Sequence, residues 1–409
     1  MRPIRVSRRG REAPPSPIRK LVPLADEARR RGVAVHGLNI GQPDLVTPPI
    51  VWEALDRDRP KVVAYAPSNG TPELRAALAR YYHTAGIDYS ADELTVTIGG
   101  SEAILMAMAS VTDAGDEILV PEPFYANYLG FARMLELKIV PVPTSAVDGY
   151  HLPPASVWEE RISARTRAIL FANPGNPTGT VYEAKEMDLL VELASRWGLF
   201  LIADEVYREF CYDGRTHLSI ANFESVRDRA IVVDSVSKRF SLCGARIGCL
   251  ATKNADVLSA SLRIGQARLS PPVLEQTLAC AAFTLPPSYF EGIRAQYQHR
   301  RDVVMEELAE MPGVFCRTPR GAFYVLATLP IASSEDFASW MLSSFSHEGE
   351  TTFVAPGGGF YATAGAGSAE VRIAYVFEEV ALRRALRVLS AGLAAYPGRT
   401  AEAALVARG

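Results

Sequence analysis

Residues 229–248, RAIVVDSVSKRFSLCGARIG, join an apolar run to a polar cluster, and much of the chain repeats that arrangement. The run at 230–233 is short, apolar and β-branched, which suits a buried strand. After it comes Lys238 among Ser235, Ser237 and Ser241, then Arg246 in a frame of Gly244 and Gly248. A lone lysine is usually a solvated surface charge. One that follows a buried strand and sits among small hydroxyls is a candidate for chemistry.

Similar apolar runs occur at DEILVP (116–121), LKIVPVP (137–143), TRAILFANP (166–174), GLFLIADEVY (198–207) and ARIGCLAT (245–252). Helical stretches such as SEAILMAMASV (101–111) and AKEMDLLVELASRWG (184–198) lie between several of them. In the second of these, Leu189, Leu190 and Leu193 form a stripe expected in the core. Continuous apolar strands alternating with helices predict an α/β fold with a mostly parallel sheet between helices. Upstream, Ser16-Pro17 predicts a helix ending near Gly32, and Thr71-Pro72 starts another with Leu74, Leu78 and Tyr81 at helical spacing. After the charged helical stretch at 289–311 the pattern turns α+β, with strands expected in GAFYVLATLP (321–330) and EVRIAYVF (370–377). The organisation expected is a mobile basic arm at 1–15 and a small-domain segment at 16–48. A large domain at 49–295 follows, then a C-terminal small-domain segment at 296–409.

Composition narrows the partners. With 409 residues, 48% hydrophobic and 22% charged, the chain has ample material for a core. A net charge of −3 leaves no electrostatic footprint for nucleic acid or an anionic membrane, so a small molecule fits better. The basic start has no apolar core and does not read as a secretory signal. No uncharged apolar run reaches the roughly 18 residues that span a bilayer. Five cysteines show no metal-ligand spacing with the six histidines, and their odd number suits a reducing compartment. The expectation is a cytoplasmic protein without a metal, its cysteines (Cys243 included) packed and inert.

In open α/β sheets a ligand sits outside the carboxyl ends of the strands. Here NPGNPTG (173–179), ADEVY (203–207) and SVSK (235–238) fall at the ends of three predicted strands. An amine, an acid, an arginine and several neutral donors gathered there suit pyridoxal phosphate. The amine would hold its aldehyde, the acid would face its ring nitrogen, and the arginine with a helix N-terminus would take its phosphate.

At these residues the chain resembles the fold-type I, class I (aspartate aminotransferase-like) family. The matching stretches are LNIGQPD, YAPSNGTPELR, GGSEA, PEPFYANY, NPGNPTG, ADEVY, SVSK…GARIG, GAFY and VRIAY, in family order, and the resemblance spans nearly the whole chain from residue 16 to about 396. The resemblance implies pyridoxal 5′-phosphate and a ping-pong transfer of an L-amino acid's α-amino group to a 2-oxo acid. By position it implies that Lys238 forms the Schiff base and moves the proton. Asp204 would face the pyridine nitrogen, while Tyr207 and Asn176 bond the ring hydroxyl. Gly100, Ser101, Ser235 and Arg246 would hold the phosphate, and Tyr125 would stack on the ring. Arg372 and the Gly41 backbone would bind the substrate carboxylate, with Asn176 beside them. Tyr65 resembles a tyrosine that reaches across to the partner subunit's phosphate, which implies a homodimer.

One subgroup carries a lysine where GGSEA has Ser101, so recognition of an acidic side chain does not carry over; Arg268 is a candidate for it. The same lysine–aspartate pair would also serve β-elimination or oxidative chemistry. A cofactor-binding sensor domain would need a DNA-binding domain ahead of LNIGQPD, where only 37 residues stand. A sugar substrate is disfavoured because it has no carboxylate for Arg372.

Overall fold

The computed structural model describes residues 4–400. Residues 1–3 of the expected arm and 401–409 of the C-terminal segment lie outside the described residues. The first strand, β1 (Ala34–Gly37), belongs to the smaller unit. Next come β2 (Leu94–Ile98), β3 (Glu117–Glu122), β4 (Lys138–Pro143), β5 (Thr166–Ala172), β6 (Phe200–Asp204), β7 (Ala230–Ser235) and β8 (Ile247–Thr252). They form one seven-stranded sheet in the order β2-β8-β7-β6-β5-β3-β4. All neighbours are parallel except β8, which runs antiparallel to both β7 and β2. The link from β7 to β8 holds only the short helix Val236–Arg239 and a 3₁₀ turn. That is too little for the crossover a parallel neighbour requires, so the chain turns back.

Both faces of this sheet are buried, which is why its strands read as unbroken apolar runs. In β5, Ile169 and Phe171 pack on one face, and Ala168 and Leu170 on the other. The Ala184–Trp197 helix covers the first face through Met187, Leu190 and Leu193, with Leu189 half-buried beside them. The Gly99–Val111 helix covers the second through Ala103, Ile104 and Ala107.

The smaller unit draws on both ends of the chain. Strands β9 (Tyr324–Thr328), β10 (Glu350–Phe353), β11 (Ala355–Pro356) and β12 (Glu370–Ala374) follow the long helix Pro287–Ala309. β12 lies antiparallel between β9 and β11, while β1 pairs in parallel with β10. Its core combines Leu21, Ala25 and Leu38 with Phe323, Val371 and Leu386. The α/β fold with a smaller α+β unit built from both termini is therefore present. The boundary expected at 295 falls inside the long helix, whose Tyr289 and Phe290 pack against the cores of both units.

Three local expectations change. The helix expected from Ser16 begins at Val22, with Pro23 in its first turn; Ser16–Lys20 instead form turns closed onto the Ser16 carbonyl. The expected arm carries a short helix, Arg8–Glu12, with Arg8 and Arg9 facing Glu136 and Glu12 paired with Arg133. Strands β1, β2, β10 and β11 had no strong apolar run to announce them. The helix after Thr71 forms as read, Thr71 Oγ1 accepting from the Leu74 backbone.

Candidate active site

A cavity of ≈ 690 Å³ opens at the carboxyl ends of β5, β6 and β7, between the large sheet and the smaller unit. Eleven of the residues singled out for the cofactor, the reaction and the substrate stand around its wall, Arg372 and Gly41 among them. β7 delivers Ser235 and Lys238, β6 delivers Asp204 and Tyr207, and the loop after β5 delivers Asn176.

Lys238 is half-buried. Its Nζ donates to the Gly41 carbonyl at 2.9 Å and approaches Cys243 Sγ at 3.8 Å. Gly41 is where the backbone must pass close to Tyr324, because a Cβ there would lie 1.8 Å from the Tyr324 hydroxyl. Cys243, expected to be only a packed neighbour, lines the cavity, and its thiol donates to the Ser237 carbonyl at 3.2 Å. The short helix brings these groups to the edge while the next residue, Arg239, turns inward to pair with buried Asp234.

Asp204 is buried at the end of β6. Its Oδ2 accepts from the Tyr128 hydroxyl at 2.8 Å and its Oδ1 more weakly from the Val206 amide at 3.4 Å. Burial is the main reason its carboxyl is pushed up to about 6; the Tyr128 and Val206 hydrogen bonds pull the other way. Remaining lone pairs are left for a cationic donor. Tyr207 shares a 2.8 Å hydrogen bond with Tyr324, and burial raises its phenol above the ordinary value. Tyr125 accepts from Asn127 Nδ2 at 2.7 Å; burial pushes its phenol up to about 12.

At the other end, Gly100 and Ser101 open the Gly99–Val111 helix, where unpaired backbone amides concentrate partial positive charge. Exposed Arg246 lies alongside: a Cβ on Gly99, whose φ is +70°, would fall 2.4 Å from its Nη2. A Cβ on Gly248 would meet backbone atoms of Gly99, Gly100 and Asp234 at 2.5–2.7 Å. Only glycine lets β8 rise against that helix start. The result is a cradle suited to a dianion. The Ser235 hydroxyl lies beside it, donating to the Ile247 carbonyl at 2.9 Å and contacting Ser237 Oγ at 2.7 Å.

Arg372 is only 1% exposed. Its Nη1 donates to Asn176 Oδ1 at 2.9 Å and its Nη2 to the Asn39 carbonyl at 2.6 Å, while its buried Nε has no hydrogen-bond partner. A guanidinium held in place with a donor left over is ready for an incoming acceptor. The ring faces of Tyr324 and Phe360, with centroids 4.3 and 4.9 Å away, flank it.

Two candidates lie elsewhere. Tyr65 is 81% exposed and does not line its own chain's cavity. Arg268 does not line it either: its Nε bonds the Glu102 carboxylate at 2.9 Å, and Nη1 and Nη2 go to the Ser68 and Val96 carbonyls. It is spent on pinning the start of the Gly99–Val111 helix. Several groups were not singled out from sequence. Tyr128 and Tyr324 lie inside the matched PEPFYANY and GAFY stretches, so a signal existed. Asn39 acts through its backbone, and Ile18 and Arg19 come from the Ser16–Lys20 turn, where a helix was expected.

The profile of the family described as aminotransferase class I and II matches residues 33–389. The chain is 31% identical over 384 residues to a probable aspartate/prephenate aminotransferase of Aquifex aeolicus, covering 93% of this chain and 96% of that one. It is 33% identical over 388 residues to the aspartate/prephenate aminotransferase of Thermus thermophilus, covering 93% and 97%. Among solved structures, the aspartate aminotransferase of Thermus thermophilus with maleate superposes with a TM-score of 0.86 at 30% identity over 95% of this chain and 100% of that one. The alanine aminotransferase of Pyrococcus furiosus gives 0.87 at 28% identity with the same coverage. This chain therefore belongs to the class I and II aminotransferases.

Proposed function

We propose that this aminotransferase exchanges the α-amino group of an L-amino acid with a 2-oxo acid in two ping-pong halves, using pyridoxal 5′-phosphate bound at Lys238. The observation that carries the reading is the convergence of Lys238, Asp204, Arg246 and Arg372 on one cavity. The donor set fits the cofactor at each end: an amine, a buried carboxylate with lone pairs to spare, and a helix-start cradle beside a guanidinium. When bound, pyridoxal phosphate supplies an aldehyde for amines and a protonated ring that draws electrons from the substrate Cα.

Lys238 would hold that aldehyde and, once displaced by the substrate amine, move the proton at Cα. Asp204 would stay ionised opposite the ring nitrogen, since a neighbouring cation offsets what burial costs a carboxylate. Gly100, Ser101, Ser235 and Arg246 would hold the phosphate, and Tyr125 would cover the ring. Asn176 and Tyr207 would donate to the ring hydroxyl. Arg372 would grip the substrate α-carboxylate with its free Nε and a shared Nη, the Gly41 backbone lying close by.

Tyr65, exposed with Val62 and Val63 beside it, supports a homodimer in which it reaches the partner's site. All five cysteines are free, and no helix among the described residues is long and apolar enough to cross a membrane. We place the protein in the cytoplasm on the reducing chemistry that free thiols need.

The test is spectroscopic. An L-amino acid alone should bleach the absorbance of the cofactor-loaded enzyme, and a 2-oxo acid should restore it. Recovery with ammonia release and no oxo acid would replace transamination with elimination or oxidation.

A further inference from the structure

The inference concerns the substrate side chain and rests on the reading just given. Four cationic side chains line the cavity, Arg19, Lys238, Arg246 and Arg372, against one lining acid, Asp204. That reading employs every one of them except Arg19. Arg372 is held by Asn176 and Asn39, Arg246 donates to the Cys243 carbonyl at 2.9 Å, and Lys238 donates to Gly41. The Arg19 guanidinium has no hydrogen bond or ion pair with any described residue.

Its backbone, by contrast, is anchored on both sides. Asn39 Nδ2 donates to the Ile18 carbonyl at 3.0 Å, and the Ile18 side chain packs against the small cluster of Ala126, Ala355 and Phe360. Lys20 pairs with Glu335 at 2.5 Å. Pro17 occupies the space that Gly359 leaves open, where a Cβ would fall 2.0 Å from the proline's own Cβ. The turn at Ser16–Lys20 thus presents an unspent positive charge to the cavity from a fixed base.

The polar groups that share the wall without a role, Ser16, Gln42 and Asn127, are neutral. A neutral wall with one uncommitted guanidinium selects an anionic side chain, and a guanidinium's planar fork matches a carboxylate. We propose that Arg19 is a specificity-determining residue that pairs with the distal carboxylate of a dicarboxylic substrate. The enzyme then takes acidic amino acids and their 2-oxo acids.

The test compares glutarate with valerate, unreactive acids of equal chain length that differ in a terminal carboxylate. Their affinities for the pyridoxal phosphate-loaded enzyme are measured by calorimetry. The wild type should favour glutarate by about tenfold or more, the range of a charge-assisted contact. Arg19→Gln should collapse that ratio, and Arg19→Lys should keep part of it. Steady-state kcat/KM for glutamate relative to norvaline should fall in parallel. A ratio unchanged in Arg19→Gln, or a wild type without preference, overturns the proposal. Arg372→Gln is the separate control: it should weaken both acids together, and if it weakens neither, the carboxylate role given to Arg372 fails instead.

Discussion

Asn176 Oδ1 accepts a 2.9 Å hydrogen bond from Arg372 Nη1, tying the loop after β5 to a strand of the smaller unit across the floor of the cavity. One carboxamide therefore orients the guanidinium with its oxygen and keeps its Nδ2 donors for another acceptor. Both residues are buried, so the contact is not screened by water.

Asn176→Ala should free one arm of that guanidinium and leave a buried donor unpaired. We expect KM for the amino donor to rise by roughly tenfold, the scale of a lost hydrogen bond to a charged group. Arg372→Ala should raise it further, with kcat changing less than KM. Steady-state kinetics on the two variants and their combination check this. Losses that multiply fully in the double variant would deny the coupling.

Asp204 predicts a pH-dependent stability in the cofactor-free protein. Its folded carboxyl is raised by burial to about 6 from an unfolded value near 4, so between those values the folded state holds the extra proton. Stability attributable to this residue is present at low pH and falls as pH rises through about 6. Asp204→Asn removes the penalty. Thermal melts should show the variant gaining on wild type from pH 4 to 6.5, by as much as about 3 kcal/mol. Equal melting curves at both ends would refute it.

Gly248→Ala places a methyl against the backbone of Gly99, Gly100 and Asp234, and none of these atoms can swing aside. The helix start should shift away from Arg246. Overpacking of this kind costs about 1–3 kcal/mol of stability, and pyridoxal phosphate should bind at least about tenfold more weakly. A fluorescence titration of the cofactor reads the second effect directly.

His151 lies outside the cavity and gives an independent check on the electrostatics. The Glu186 carboxylate, 2.9 Å from its Nδ1, raises the imidazole above its ordinary value. A raised histidine contributes stability that is complete below its unfolded value and is lost as pH rises through its folded one. His151→Gln should therefore be less stable than wild type at pH 5.5 and close to it at pH 8.5. Denaturant midpoints at the two values measure the difference.

Much of the fold was legible because a strand buried on both faces must be apolar throughout. That rule marks β3 through β8, whose polar ends then locate the cavity. It fails for β1, β10 and β11, which are too short to form an apolar run, and for β2, where Thr95 and Thr97 interrupt the run. Serine before proline is a good helix start, yet Ser16–Lys20 is a turn. What holds it as a turn, Asn39 on the Ile18 carbonyl and Pro17 against Gly359, comes from distant parts of the chain.

The sequence by itself determined the covalent and ionic parts of the site: a lysine after a buried strand, an acid closing another, and arginines in glycine or strand frames. Residue type and local pattern carry that information. Only the tertiary structure decided which charges are spent. Arg268 and Arg19 look alike in sequence, yet one is consumed by Glu102 and two backbone carbonyls while the other faces the cavity unpaired. Tyr128 on Asp204 and the Asn39 carbonyl on Arg372 are likewise contacts across 76 and 333 positions. A carbonyl acceptor is the same in every residue, so its partner is set by where the chain returns in space.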